Sequence, residues 1–119
     1  MSSLLNYYTE ERPWGWFKIL LETPMYKVKE LFVKPGARLS YQFHHRRSEH
    51  WVIVQGTATV TINDVVRHCT VGENFAVPAE TKHRVANETA TEVVLIEIQT
   101  GDYFGEDDIV RLEDDYHRI

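Results

Sequence analysis

Between positions 41 and 51 the chain runs Tyr-Gln-Phe-His-His-Arg-Arg-Ser-Glu-His-Trp, which places three histidines, one glutamate and two arginines within eleven residues. Imidazole nitrogens with a carboxylate oxygen suit a borderline divalent ion, and zinc, cobalt, iron, nickel and manganese all accept such a set. Side chains two apart on a strand project to the same face. Gln42 and His44 therefore point together, whereas Phe43 and His45 point the other way. Glu49 follows His44 by five positions, the wrong parity for one continuous strand. A turn over His45 to Ser48 would let Glu49 approach from a neighbouring strand. His83, in the segment Val77 to Asn87, is the candidate for a fourth ligand. His45 and His50 are expected to be supporting or surface groups, and His68 and His117 non-ligands. The alternative for the whole cluster is a set of exposed polar residues, or a hydrogen-bonded histidine in a core.

Holding such a set requires short strands meeting at one place, and the remaining chain reads that way. Strands are expected over Trp14 to Leu21, Tyr26 to Lys34, Leu39 to His44, Glu49 to Gln55, Thr57 to Ile62, Val65 to Cys69, Asn74 to Val77, His83 to Ala86 and Glu92 to Gln99. Pro35-Gly36 is a turn signal, and Asn63-Asp64 a hairpin turn. Short β-branched strands at this spacing predict an all-β sandwich or barrel. Glu106 to Tyr116 is the one stretch expected to form a helical turn.

With 119 residues the chain is expected to form one domain over 1–119. A net charge of -5 argues against binding a phosphate backbone, so no nucleic-acid partner is expected. Lys27 with Lys29, and Arg46 with Arg47, are local basic patches able to hold a small anion. The single cysteine, Cys69, forms no internal disulfide and is expected to be buried. The first fifteen residues lack the pattern of a signal peptide, and the apolar runs Trp51–Val54 and Val93–Ile96 are too short to span a bilayer. A cytoplasmic location without membrane attachment is the expectation. Trp14, Trp16, Tyr26 and Trp51 are expected in the core or an interface rather than as sugar-stacking platforms.

Two longer patterns are more specific. Gly36, five residues, Gln42, one residue, His44, four residues, Glu49, six residues and Gly56 resemble the first motif of the cupins, with glutamine in place of the usual histidine. Gly72, five residues, Pro78, one residue, Glu80, two residues, His83, three residues and Asn87 resemble the second, with Glu80 where glycine is usual. Within the cupins the chain resembles the type II mannose-6-phosphate isomerase (phosphomannose isomerase) family. The matching stretches are Arg12-Pro13-Trp14-Gly15, Tyr26 to Lys29, Leu39 to Gln42, Arg47 to Trp51, Gly56-Thr57-Ala58 and Gly105 to Arg111. Arg46 stands where the family commonly has a third histidine, and His117 where it ends Tyr-Gly-Arg.

The resemblance implies a cupin fold, a double-stranded β-helix or jelly-roll barrel. It implies a divalent metal, zinc first, on Gln42, His44, Glu49 and His83. It also implies interconversion of mannose 6-phosphate and fructose 6-phosphate through an enediol, within GDP-mannose biosynthesis. The cationic groups expected to meet the sugar phosphate are Arg111, Lys29, Lys27 and Arg12. Taken alone, two lysines on one strand face read as a solvated face, and Arg111 as an ion pair with Asp107 or Asp108. For the proton-transfer base Asp107, Glu73, His50 and Lys29 stay open. Three alternatives stand beside this reading: a non-catalytic sugar-phosphate-binding module, a cupin isomerase or epimerase for another sugar, and an iron dioxygenase. A homodimer and a separate guanylyltransferase chain are the expected protein partners.

Overall fold

Alternation of inward and outward side chains organises nearly the whole chain. The computed structural model describes residues 9–118; residues 1–8, on which the signal-peptide expectation partly rests, and Ile119 lie outside the described residues. Eleven strands follow in order: β1 (Thr9–Arg12), β2 (Gly15–Glu22), β3 (Tyr26–Val33), β4 (Tyr41–Phe43), β5 (Arg47–Gln55), β6 (Ala58–Ile62), β7 (Val65–Cys69), β8 (Asn74–Val77), β9 (His83–Ala86), β10 (Val93–Gly101) and β11 (Val110–Glu113). They form a six-stranded sheet, β1-β2-β3-β10-β5-β8, and a five-stranded sheet, β11-β4-β9-β6-β7. Every ladder pairing is antiparallel. Non-consecutive neighbours such as β3–β10 and β4–β9 give the jelly-roll winding of a cupin barrel.

The stretch from Glu106 to Tyr116 corrects the expectation of a helical turn: its regular element is β11. Val110 pairs with Phe43 and Arg111 with Gln42, so the backbone is satisfied by the edge of β4 rather than internally. Acidic side chains of this segment instead fasten turns. Asp108, for example, accepts from the backbone N–H groups of His45 and Arg46 at 3.0 and 2.9 Å.

One polarity gradient fixes where chemistry can occur. On β3 the inward residues are Lys27, Lys29, Leu31 and Val33; on β10 they are Val93, Leu95, Glu97 and Gln99; on β5 they are Arg47, Glu49, Trp51 and Ile53. Cross-strand register aligns them into rows: Leu31–Leu95–Ile53 is apolar, Lys29–Glu97–Trp51 is mixed, and Lys27–Gln99–Glu49 is wholly polar. The apolar end joins Val60 and Val85 of the other sheet in one core, with Cys69 buried at its margin. The other end is a buried polar chamber, which persists only where its charges find partners. Trp14 and Trp51 are core residues, while Trp16 stacks on Phe32 across β2 and β3 at 5.2 Å.

Loops are held as firmly as strands. Asn63 and Asp64 take φ values of 50° and 68°, both positive as a two-residue type I′ hairpin requires. Asn87, 1% exposed, donates from its amide to the carbonyls of Val33 and Thr91 at 2.9 and 2.7 Å. Its oxygen accepts from the N–H and hydroxyl of Thr89. Replacing Asn87 with alanine removes a donor from the buried Val33 carbonyl, while the Thr91 carbonyl keeps the Thr89 hydroxyl at 3.0 Å. A loss of about 1–3 kcal/mol in unfolding free energy is expected, read from urea midpoints at unchanged slope.

Candidate metal centre

Three strands of the smaller sheet and one of the larger converge on the polar end. In register across β11, β4 and β9 lie Arg111, Gln42 and His83. His44 follows directly on β4, and the chain bends at His45 and Arg46 before β5 begins. That bend returns Glu49 toward His44, as strand parity required. His44, Glu49 and His83 are each buried, and one donor atom from each lies within 4.8 Å of the others.

Backbone carbonyls set both imidazoles. His44 Nδ1 lies 2.6 Å from the Asp108 carbonyl and His83 Nδ1 lies 2.8 Å from the Thr81 carbonyl. Each Nδ1 therefore carries the proton and donates, leaving each Nε2 as a lone pair. Those lone pairs face the carboxylate of Glu49, at 3.3 Å for His44 and 3.6 Å for His83. Burial, the largest influence, lowers the pKa of His44 to about 4, so the ring is a neutral donor at pH 7. Burial alone would raise the Glu49 carboxyl; the positive charge that His83 and His44 gain when protonated, together with the permanent charge of the Arg47 guanidinium, outweighs it and holds the group below the ordinary carboxylate range. On the His44 side the Arg47 guanidinium already bridges the two groups, with Nη2 3.2 Å from His44 Nε2 and 2.9 Å from the Glu49 carboxylate, so the place a cation would complete lies toward His83. His83 Nε2 in particular is buried without a hydrogen-bond partner. The site fits a divalent ion.

Gln42 belongs to the same cluster with one rotation outstanding. Its Oε1 accepts from Ser40 Oγ at 2.5 Å, and its Nε2 lies 3.4 Å from His44 Nε2. Exchanging amide oxygen and nitrogen would turn the oxygen toward the histidines while Ser40 remains a partner.

Beside the triad lies a cavity of about 50 Å³ lined by Arg12, Lys29, Gln42, Glu49, His83 and Arg111 among others. Lys27 and Lys29, 5% and 4% exposed, are buried rather than a solvated face. Burial and then Lys29 lower the pKa of Lys27. Arg111 makes no ion pair with Asp107 or Asp108 among the contacts of the described residues; its Nε is buried and unpartnered. Burial, then Arg118, depress its pKa. Arg12 reaches the rim, paired with Glu10 and packed over the Phe17 ring at 4.9 Å. The cavity does not gather every candidate. Asp107 is exposed and accepts from the Tyr103 hydroxyl. Glu73 is exposed and accepts from Thr70, and exposed His50 meets Asn74. His45 pairs with Glu80 on the surface, and His68 is likewise exposed.

Two cavity residues, Glu106 and Glu97, were not anticipated, and a third, Arg47, was expected only as part of a basic patch. Arg47 donates from Nε to Glu49 at 2.9 Å. Glu106 reaches Lys29 at 2.5 Å. Glu97 accepts from Gln99, and burial with the charge of Glu49 pushes its carboxyl up to about 7. Glu97 and Gln99 were visible in sequence as two polar residues sharing parity with Val93 and Leu95. That polar continuation of an apolar face is the signal of a lined pocket.

Both departures from motif glycines occupy left-handed backbone. Glu80 has φ 64° and His117 φ 58°, conformations that cost an L-residue roughly 1–2 kcal/mol. Replacing Glu80 with glycine forfeits only an exposed contact to His45, worth little. An increase of about 0.5–1 kcal/mol in stability is expected after glycine's own entropy cost, measurable as a rise in Tm.

Comparison with known proteins places this geometry. The family described as mannose-6-phosphate isomerase C-terminal matches residues 3–114. The alginate biosynthesis protein AlgA of Pseudomonas aeruginosa is 44% identical over 117 residues, covering 98% of this chain and 24% of AlgA. The xanthan biosynthesis protein XanB of Xanthomonas campestris pv. campestris (strain B100) is 47% identical over 107 residues, 90% of this chain and 23% of XanB. Mannose-1-phosphate guanylyltransferase 2 of Escherichia coli O157:H7 is 43% identical over 105 residues, 88% of this chain and 22% of that protein. The chain thus spans about a quarter of the length of these relatives. Among solved structures, an RmlC-like cupin from Shewanella frigidimarina superposes with TM-score 0.73 at 23% identity, covering 87% of this chain and 89% of that one. KdgF from Halomonas sp. superposes with the same score and identity over 86% and 89%. At such identity these structures establish the fold.

Proposed function

The chain belongs to the mannose-6-phosphate isomerase C-terminal family, and from that premise we propose that it interconverts mannose 6-phosphate and fructose 6-phosphate through an enediol. The observation that carries the reading is the meeting, around one cavity, of the His44–Glu49–His83 triad, a buried cationic wall and a carboxyl tuned near neutrality. A divalent ion held by His44, Glu49, His83 and, after amide rotation, Gln42 would supply a Lewis acid for the sugar oxygens; zinc comes first for this donor set, ahead of cobalt, manganese, iron and nickel.

The remaining work falls to side chains. Isomerisation moves a proton between C1 and C2, and its base must be half-ionised near working pH. Glu97 meets that requirement better than the groups expected from sequence, because it lines the cavity and its carboxyl sits near 7. Lys29, on the same row, is the remaining sequence candidate for proton handling. Arg111 presents a buried, unpartnered N–H that can stabilise the negative oxygen of the enediolate. Lys27, Lys29 and Arg47 match a phosphate in charge, and Arg12 stands at the rim.

Among the described residues no helix is long and apolar enough to cross a membrane. A role in GDP-mannose biosynthesis, in the cytoplasm and alongside a guanylyltransferase chain, extends the proposal, motivated by the relatives' names. Pairing of two copies through an edge strand such as β7, which exposes Val65 and Val66, extends it further.

The test gives purified protein zinc, cobalt or manganese with mannose 6-phosphate and follows fructose 6-phosphate. Conversion is expected. Saturable sugar-phosphate binding without turnover under any metal would assign a binding module instead, and turnover of another sugar alone would move the substrate.

A further inference from the structure

We propose that Lys27, Lys29 and Arg47 form an anion site that Glu106 occupies as a displaceable internal stand-in, and that an entering phosphate takes its place. One oxygen of Glu106, Oε2, faces all three cations, at 3.9 Å from Lys27, 2.5 Å from Lys29 and 3.7 Å from Arg47. The cations are buried, with side chains 6%, 5% and 4% exposed, whereas the Glu106 side chain is 42% exposed. The carboxylate therefore sits between buried positive charge and solvent, as a stopper does. Arg47 is also paired with Glu49 at 2.9 Å, so one oxygen of Glu106 is left to serve both lysines and the free end of Arg47. Lys27 turns otherwise to the Phe104 carbonyl at 3.3 Å, Lys29 to the Phe17 ring at 4.1 Å, and Arg47 keeps a buried Nη1 without a hydrogen bond. A phosphate dianion brings more charge and three acceptor oxygens to the same place.

Displacement needs no loop opening. The backbone beside Glu106 is fastened at Asp108, whose carboxylate accepts from the His45 and Arg46 N–H groups and whose carbonyl accepts from His44. The side chain alone, already half in solvent, can rotate outward. The inference rests on reading the cavity as a sugar-phosphate site, but it is tested without turnover.

The probe is inorganic phosphate, titrated calorimetrically in a phosphate-free buffer into wild type, Glu106→Gln and the double variant Glu106→Gln/Lys29→Met. If Glu106 occupies the site nine-tenths of the time, Glu106→Gln binds phosphate about tenfold tighter than wild type. The double variant loses that gain. Thermal unfolding provides a second reading: Glu106→Gln melts lower than wild type without phosphate and gains more from its addition. Should Glu106→Gln not fold, Glu106→Asp, whose carboxylate retracts by one methylene, shows a smaller gain of the same sign. Equal or weaker phosphate binding by Glu106→Gln than by wild type would overturn the proposal, and so would a gain that survives Lys29→Met. Absence of mannose 6-phosphate conversion by wild type would fail the isomerase reading and leave this result standing.

Discussion

Glu49→Gln is expected to abolish stoichiometric metal binding and to destabilise the protein in the same step. The Glu49 carboxylate, 4% exposed, accepts from Arg47 Nε at 2.9 Å and Trp51 Nε1 at 3.0 Å, and faces both imidazole lone pairs. Glutamine keeps the shape but turns a donor toward at least one of these donors. It also leaves the Arg47 guanidinium buried, with Glu97 and, at 3.7 Å, Glu106 as its remaining acids. Breaking a buried pair from one side costs about 3–5 kcal/mol. Metal affinity should fall by more than the roughly 10–100-fold that outer contacts alone command. Isothermal titration with zinc and urea unfolding read the two effects separately. Unchanged metal affinity would remove Glu49 from the centre.

The pH dependence has a definite sign. The folded-state carboxyl of Glu49 is depressed, so its contribution is full above its ordinary value near 4.5 and is lost as pH falls through the folded value. The stability curves of wild type and variant should converge in acid and separate toward neutrality.

Arg111→Ala is expected to separate activity from stability. Its guanidinium sits in an unfavourable field: burial, Arg118 and Arg12 all oppose the charge, and Nε is buried without a partner. Removing it should leave Tm unchanged or higher. If Arg111 stabilises the enediolate, kcat for mannose 6-phosphate should fall by about 10²–10³-fold, as for loss of one oxyanion donor, with KM moving less. Arg111→Lys should recover part of the rate. A variant with normal kcat and lower Tm would make Arg111 a structural residue.

Sequence legibility followed the range of the interactions. The clustering of His44, Glu49 and His83 was legible because strand parity and two spaced motifs act over a few residues. The strands from β2 to β10 were legible from alternation, with ends differing by a residue or two. Parity could pair Lys27 with Lys29 but not say which face was inside, because Val28 and Phe32 on the opposite face are equally apolar. That choice is made by Leu31 and Val33 packing into the core. Glu106 and Arg47 acquire meaning only through contacts between residues 59 positions apart, and Glu106 with Lys29 through contacts across 77. β11 was missed because an acidic segment's local preference yields to an open edge of β4.

The bond between Arg47 and Glu49 has a consequence for loading order. A cation seated on the triad draws on the Glu49 charge that otherwise neutralises Arg47. Arg47, with Lys27 and Lys29, then presents a stronger field to an incoming phosphate. Thermodynamic linkage makes the exchange mutual: whatever factor the metal adds to phosphate affinity, phosphate adds to metal affinity. The two ligands would thus bind with positive cooperativity through one guanidinium, and a phosphate-rich solution should leave the metal harder to strip with a chelator.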